Sequence, residues 1–207
     1  QALDKVKSGN SNYSIVSASD KRKARSASSQ ELDFGDGAVA IAVDNKNLIA
    51  KYINSSSLSI DFIDHFRQPG EEFDYNWEER WIRDEGYLKI VPKAIEELFS
   101  KANISGSDID HFILPSVFPR VDQMIAKKCG INPENVVDNL ALSTGDTGSA
   151  HSLLMFASIL EKANPGEKIL ISSFGGGSDV ILFEVTDNIK SFNPEQTVEN
   201  LINNGIE

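Results

Sequence analysis

The chain has 207 residues, of which 40% are apolar and 25% charged, and its formal net charge is -11. Such a length and composition describe a soluble globular protein of one domain, or one large domain with a partial second, with ample material for a core. The negative charge argues against duplex nucleic acid and anionic membranes as general partners, because both recruit basic surfaces. No apolar run reaches the ~18 residues a membrane span needs, and the single cysteine, Cys129, allows no intrachain disulfide, which points to a reducing, cytoplasmic setting.

In chain order, residues 2–8 read as the end of a helix stopped by Gly9-Asn10. A short buried strand is expected at 13–18 (YSIVSA), followed by a polar stretch with the basic cluster at 21–25 (KRKAR). That cluster is either a solvated loop or a landing place for an anionic group. Residues 37–43 (GAVAIAV) form a second expected strand, too continuously apolar to have a wet face. A serine-rich strand follows within 48–59, and then a long polar and aromatic stretch at 61–84, a length that in a compact domain covers a site or carries a partner contact.

The spacing of Leu88, Val91, Ile95, Leu98 and Ala102 predicts a helix over 87–102, with Pro92 in its first turn or bending it. A strand at 109–114 ends at Pro115, and a second amphipathic helix starts at Val121 and ends at Gly130, placing Cys129 as a packed thiol. Val136-Val137 reads as a further short strand, and 168–174 and 180–185 as two buried strands joined by a glycine-rich turn.

Residues 142–151 (LSTGDTGSAH) run into an apolar helix. A small-residue turn opening a buried helix gathers backbone N–H groups and one carboxylate, Asp146, at one point; the alternative is an ordinary capped loop. Gly175-Gly176-Gly177 is no Walker loop, since no Lys-Ser/Thr follows and a strand comes next. It either admits a ligand close to the backbone or is a tight hairpin. His65, His111 and His151 match no zinc spacing, so no metal site is expected. A strand, a glycine-rich break and a second strand occur twice, around 35–37 and around 175–177, as in a duplicated α/β unit.

The stretches DFGDGAVAIAV from Asp33, DHFILP from Asp110, TGDTGSA from Thr144 and PGEKILISSFGGGSD from Pro165 carry a resemblance over roughly residues 1–187. They resemble the thiolase superfamily, in particular the archaeal-type 3-hydroxy-3-methylglutaryl-CoA synthases and the 3-oxoacyl-acyl carrier protein synthase III group. The resemblance implies an α/β thiolase-like fold with a mixed five-stranded sheet and helices on both faces. It divides the chain into the end of an N-terminal half (1–46), a C-terminal half (47–187) and a polar tail (188–207). It also implies condensation of acyl thioesters, with an acyl-CoA or an acyl carrier protein as partner. Coenzyme A is then a substrate thioester, no cofactor is permanently bound, and the assembly is a homodimer or a pair with a related chain.

By the same resemblance Ser116 stands at the family's histidine position, Asp146 at its asparagine position and Gly176 at its oxyanion-loop glycine, and these are the expected catalytic groups. Gly145, Phe174 and Gly175 are the expected contacts to the coenzyme. The family's nucleophilic cysteine matches nothing here and is expected on a part of the fold preceding residues 2–8. A carboxylate at 146 repels a developing oxyanion unless protonated, and serine cannot take a proton as histidine does. A non-catalytic subunit supporting an active partner is therefore the alternative reading.

Overall fold

The computed structural model describes residues 1–205, so the last two residues of the expected polar tail lie outside the described residues. Its strands are β1 (Tyr13–Asp20), β2 (Gly37–Asp44), β3 (Ala50–Ser59), β4 (His65–Phe66), β5 (Tyr75–Asn76), β6 (His111–Ile113), β7 (Lys168–Phe174) and β8 (Gly177–Val185). The helices are α1 (Ala2–Lys7), α2 (Gln30–Asp33), α3 (Glu79–Trp81), α4 (Leu88–Ala102), α5 (Val121–Lys128), α6 (Ala141–Thr144), α7 (His151–Leu160) and α8 (Val198–Asn203).

The main sheet has the order β3-β8-β7-β6, with only the β6–β7 pair parallel. The alternation of a strand with two buried faces is plain in β7: Leu170 joins one apolar cluster, while Ile169 and Ile171 join the other. On the first face lie α4 and α5, through Val91, Ile95, Leu98, Val121 and Ile125. On the second lies α7, through Met155 and Phe156, and Ile41 of β2 packs against that cluster from beyond the helix. Burial of each such side chain contributes about 1.5–3 kcal/mol before the cost of ordering it.

Two expectations are corrected here. The main sheet has four strands and not five, because residue 136 contributes only an isolated parallel bridge to Phe112. The β1–β2 pair is a separate antiparallel ribbon and is not buried on both faces: Tyr13 is 63% and Ile15 67% exposed, and Ala38, Ala40 and Ala42 are exposed. Continuous apolar sequence does not distinguish a central strand from a ribbon packed on one side only.

The α4 helix follows a six-residue π-helical turn, Ile82–Tyr87, which α3 precedes. Pro92 lies inside α4 and cannot donate to the carbonyl of Leu88; the ammonium of Lys128 on α5 donates to that carbonyl instead, at 2.8 Å. Asn103 ends α4 in the left-handed conformation, φ 54°. On α5, Val121 and Ile125 are buried but Met124 is 49% exposed. Cys129 at its end packs beside the first cluster, and burial pushes its thiol up to about 12. Deprotonation is then negligible near neutrality, so iodoacetamide should label Cys129 far more slowly than a free thiol at pH 7.5, with labelling accelerating only in strongly alkaline buffer or in urea. Rapid labelling of the folded chain would contradict this burial.

Candidate active site

The site is built where two glycine-bearing loops meet. The N–H of Asp146 donates to the carbonyl of Asp33 at 2.6 Å, and the N–H of Gly35 donates to the carbonyl of Asp146 at 3.0 Å. A Cβ on Gly35 would stand 1.8 Å from the carbonyl oxygen of Thr144, and one on Gly145 would stand 2.8 Å from the nitrogen of Gly35. Gly145 also has φ 65° and ψ -177°, a region that essentially only glycine occupies. The glycines of DFGDG and TGDTG therefore serve a close backbone approach, and they fix where the Asp146 carboxylate points.

That carboxylate is not free. One oxygen accepts from the N–H of Gly148 at 2.9 Å, and the other pairs with Arg22 at 2.6 Å. The same guanidinium nitrogen of Arg22 donates to the carbonyl of Asp146 at 2.9 Å, and the guanidinium lies 3.8 Å above the centre of the Phe34 ring. Both side chains of the pair are mostly withdrawn from solvent, 16% and 24% exposed. The basic cluster thus divides: Lys21 faces Asp36 and Lys23 pairs with Glu72 at the surface, whereas Arg22 turns inward.

His151 is 3% exposed and opens α7. Its Nδ1 accepts from the N–H of Thr147 at 3.0 Å, so Nε2 carries the proton and donates to the carbonyl of Asn139. With both nitrogens engaged it orients the loop and is not available as a proton shuttle. Ser116 is likewise engaged: its Oγ accepts from the N–H of Phe118 at 3.0 Å, and its carbonyl accepts from the amide of Asn139 at 3.2 Å.

These groups surround a cavity of about 490 Å³. Ser116, Asp146 and Phe174 of the expected residues line it; Gly145, Gly175 and Gly176 do not. Gly145 serves the loop junction instead, and the N–H of Gly175 is spent on the carbonyl of Gly177. One wall is aromatic. Tyr87 packs against Phe174 with ring centres 4.3 Å apart and planes tilted by 39°, and meets Phe118 edge-on at 5.8 Å. Burial, reinforced by the charges of Asp64 and Asp146, holds the Tyr87 phenol well above its ordinary range, so it stays protonated. Asp64, His65, Asn76 and Ile82 bring the 61–84 stretch to the same cavity, while Ile63, Tyr75 and Trp77 of that stretch stay exposed. Asp64 and His65 pair at 3.1 Å, and the hydrogen bond with Asp64 raises the imidazole above its usual value.

Arg22, Phe34, Tyr87 and Asn139 escaped sequence reasoning. Arg22 meets its partner 124 positions away, and no spacing rule reaches that far. Among the described residues no group of His, Cys, Asp or Glu could hold a metal, and no helix is long and apolar enough to cross a membrane.

The family of 3-oxoacyl-[acyl-carrier-protein] synthase III C-terminal segments matches residues 99–181. Hydroxymethylglutaryl-CoA synthase of Methanopyrus kandleri is 27% identical over 188 residues, covering 89% of this chain and 53% of its own. The same enzyme of Aeropyrum pernix is 29% identical over 193 residues, covering 91% and 53%. Among solved structures, an HMG-CoA synthase complexed with CoA superposes with a TM-score of 0.78 at 19% identity, over 92% of this chain and 53% of that one. The 3-oxoacyl-[acyl-carrier-protein] synthase III of Aquifex aeolicus gives 0.73 at 18%, over 88% and 61%.

The chain has the thiolase-like fold. The resemblance carried by the four motifs is borne out, as is the α/β class with helices on both faces of a mixed sheet. The thiolase-like chain spans about half the length of the curated relatives it matches.

Proposed function

We propose that the chain forms the acyl-thioester pocket of a condensing acyltransferase of the thiolase superfamily, acting on an acyl-CoA or an acyl group carried on an acyl carrier protein in the cytoplasm. The observation that carries this reading is the convergence of the loops bearing Asp146, Ser116 and Phe174 on one aromatic-walled cavity of about 490 Å³. A thioester needs such a place: an apolar wall for the acyl chain and a few fixed polar groups to orient it. In this reading Ser116, Asp146 and Phe174, which line the cavity, meet the acyl group, while Gly145, Gly175 and Gly176 lie outside its lining and act on it only through the loops they shape. Cys129 lies elsewhere with a suppressed thiolate, so the nucleophile comes from outside this cavity, on another segment or on a partner with the same fold in a homodimer or heterodimer.

A second reading has a specific observation in its favour. Asp146 is paired with Arg22, and Ser116 is tied to the backbone of Phe118, so neither of the two groups at the family's catalytic positions is free to act as a base. A subunit that keeps the fold to support an active partner would tolerate this. Titration calorimetry separates the two. CoA and acetyl-CoA should bind with submillimolar Kd if the pocket handles thioesters, and absence of heat up to millimolar ligand would leave the supporting subunit.

A further inference from the structure

The hairpin of β4 and β5 has two unlike faces. His65 and Asn76, paired across it, line the cavity. Neighbouring positions point the other way, as alternation along a strand requires, and there Tyr75 is 62% and Trp77 51% exposed. Trp77 is held in the ladder, its N–H donating to the carbonyl of Asp64 at 2.9 Å. The rings themselves are braced from inside. Trp77 meets Trp81 of α3 edge-on with centres 6.2 Å apart, Trp81 stacks on Phe62 at 4.1 Å, and the buried Phe62 meets Phe174 edge-on at 5.5 Å. Tyr75 leans on Phe66 at 5.3 Å. A platform fixed in this way gives up little side-chain entropy when something lies on it, and Trp and Tyr are the residue types that carry binding energy at interfaces.

Charge indicates the kind of partner. Residues 61–85 hold nine carboxylates and three arginines, more than half of the chain's net charge of -11. Glu72, Asp74, Asp84 and Glu85 are paired with cations of this chain. Asp61, Glu71, Glu78 and Glu79 are exposed and have no cationic partner among the described residues, against one unmatched arginine, Arg80.

We propose that the outer face of this hairpin, together with Trp81, docks a basic segment of a partner protein. An apolar side chain of that segment lies against Tyr75 and Trp77, and flanking lysines or arginines meet the unmatched carboxylates and the ring faces. A second copy of this chain does not fit, because two such patches would bring like charges together, and nucleic acid and anionic lipid are repelled for the same reason. The surface lies on the reverse of the cavity-lining face, so it stands whether or not the cavity handles thioesters.

Trp77 and Trp81 are the two tryptophans of the chain, so intrinsic fluorescence reads this face alone. The probe is a synthetic amphipathic peptide of leucine and lysine, added to the whole chain, with a leucine and glutamate peptide of the same length and pattern as control. The lysine peptide should shift the emission to the blue and shield both rings from acrylamide, and the glutamate peptide should do neither. Glu71→Lys with Glu79→Lys should weaken binding about tenfold or more, whereas Glu134→Lys with Glu195→Lys, an equal change of net charge at exposed sites elsewhere, should change it less than about twofold. Trp77→Ser should also weaken it about tenfold, with the circular dichroism of the fold unchanged. Unchanged emission, equal binding of the two peptides, or equal losses in the two charge-reversed variants overturns the proposal. Emission that shifts with protein concentration alone assigns the face to a second copy and overturns it as well.

Discussion

Alanine at position 35 is expected to lower the stability of the chain by about 3 kcal/mol or more, the upper end of what overpacking costs. The added methyl would lie 1.8 Å from the carbonyl oxygen of Thr144 and 3.1 Å from the Cα of Gly145. Both are backbone atoms, so no side chain can swing aside. Relief requires the 33–37 and 144–148 loops to part, breaking the two hydrogen bonds between Asp33, Gly35 and Asp146. Gly9→Ala supplies the control: nothing lies within 4 Å of its Cβ, so only the positive φ of 74° acts against it, at a cost of about 1 kcal/mol. Urea unfolding followed by circular dichroism measures both. Equal losses in the two variants would mean that the loops do not touch as described.

Arg22→Ala should cost about 2–4 kcal/mol, a large value for a residue that looks like part of a solvated basic run. The substitution removes charge-assisted hydrogen bonds to the Asp146 carboxylate and carbonyl, worth about 1.5–3 kcal/mol for a charged partner, and the stacking on Phe34, about 0.5–2 kcal/mol. Arg22→Lys should recover less than half, because an ammonium cannot bridge two acceptors while lying flat on a ring. Combining Arg22→Ala with Asp146→Asn should cost clearly less than the sum of the single changes, with a coupling of about 1–3 kcal/mol. Additive losses would show that the pair is incidental. A consequence for the site is that Asp146→Asn probes structure as well as chemistry, so any activity lost with it has to be compared with the Arg22 variants before a catalytic role is drawn.

The sequence disclosed those parts whose neighbours are near in the chain or repeat with a period. Leu88, Val91, Ile95 and Leu98 announced α4, and the two apolar runs flanking the triple glycine became β7 and β8. Close backbone approach was legible at the triple glycine, whereas Gly175 and Gly176 stand in open space and the tightest approach between loops falls at Gly35 and Gly145. Arg22 was hidden inside a run of four basic residues, three of which do lie at the surface. Val136 read as a strand because it is apolar and β-branched, but a single bridge to Phe112 does not make one. The exposed faces of β1 and β2 were misread for a related reason: hydrophobicity says that a strand wants cover, and it does not say how much of that cover the chain supplies.

The wide turn at Ile82–Tyr87 acts as a spacer with consequences for how this fold tolerates changes in length. A π turn holds one residue more than the α-helix it interrupts. Deleting one residue between 82 and 86 would let the helix run on in ordinary register. The wide turn covers nearly the same net rotation as an α-helix one residue shorter, because a π turn advances less per residue, so the hairpin that lays Asp64 and His65 over the cavity would stay in place. A second deletion would find no such slack: everything upstream would rotate by about 100° about the axis of α4 and shift along it by about 1.5 Å. The turn therefore absorbs one lost residue between fold and site and no more, whereas a deletion in the exposed 67–72 stretch between β4 and β5 would shorten only a loop.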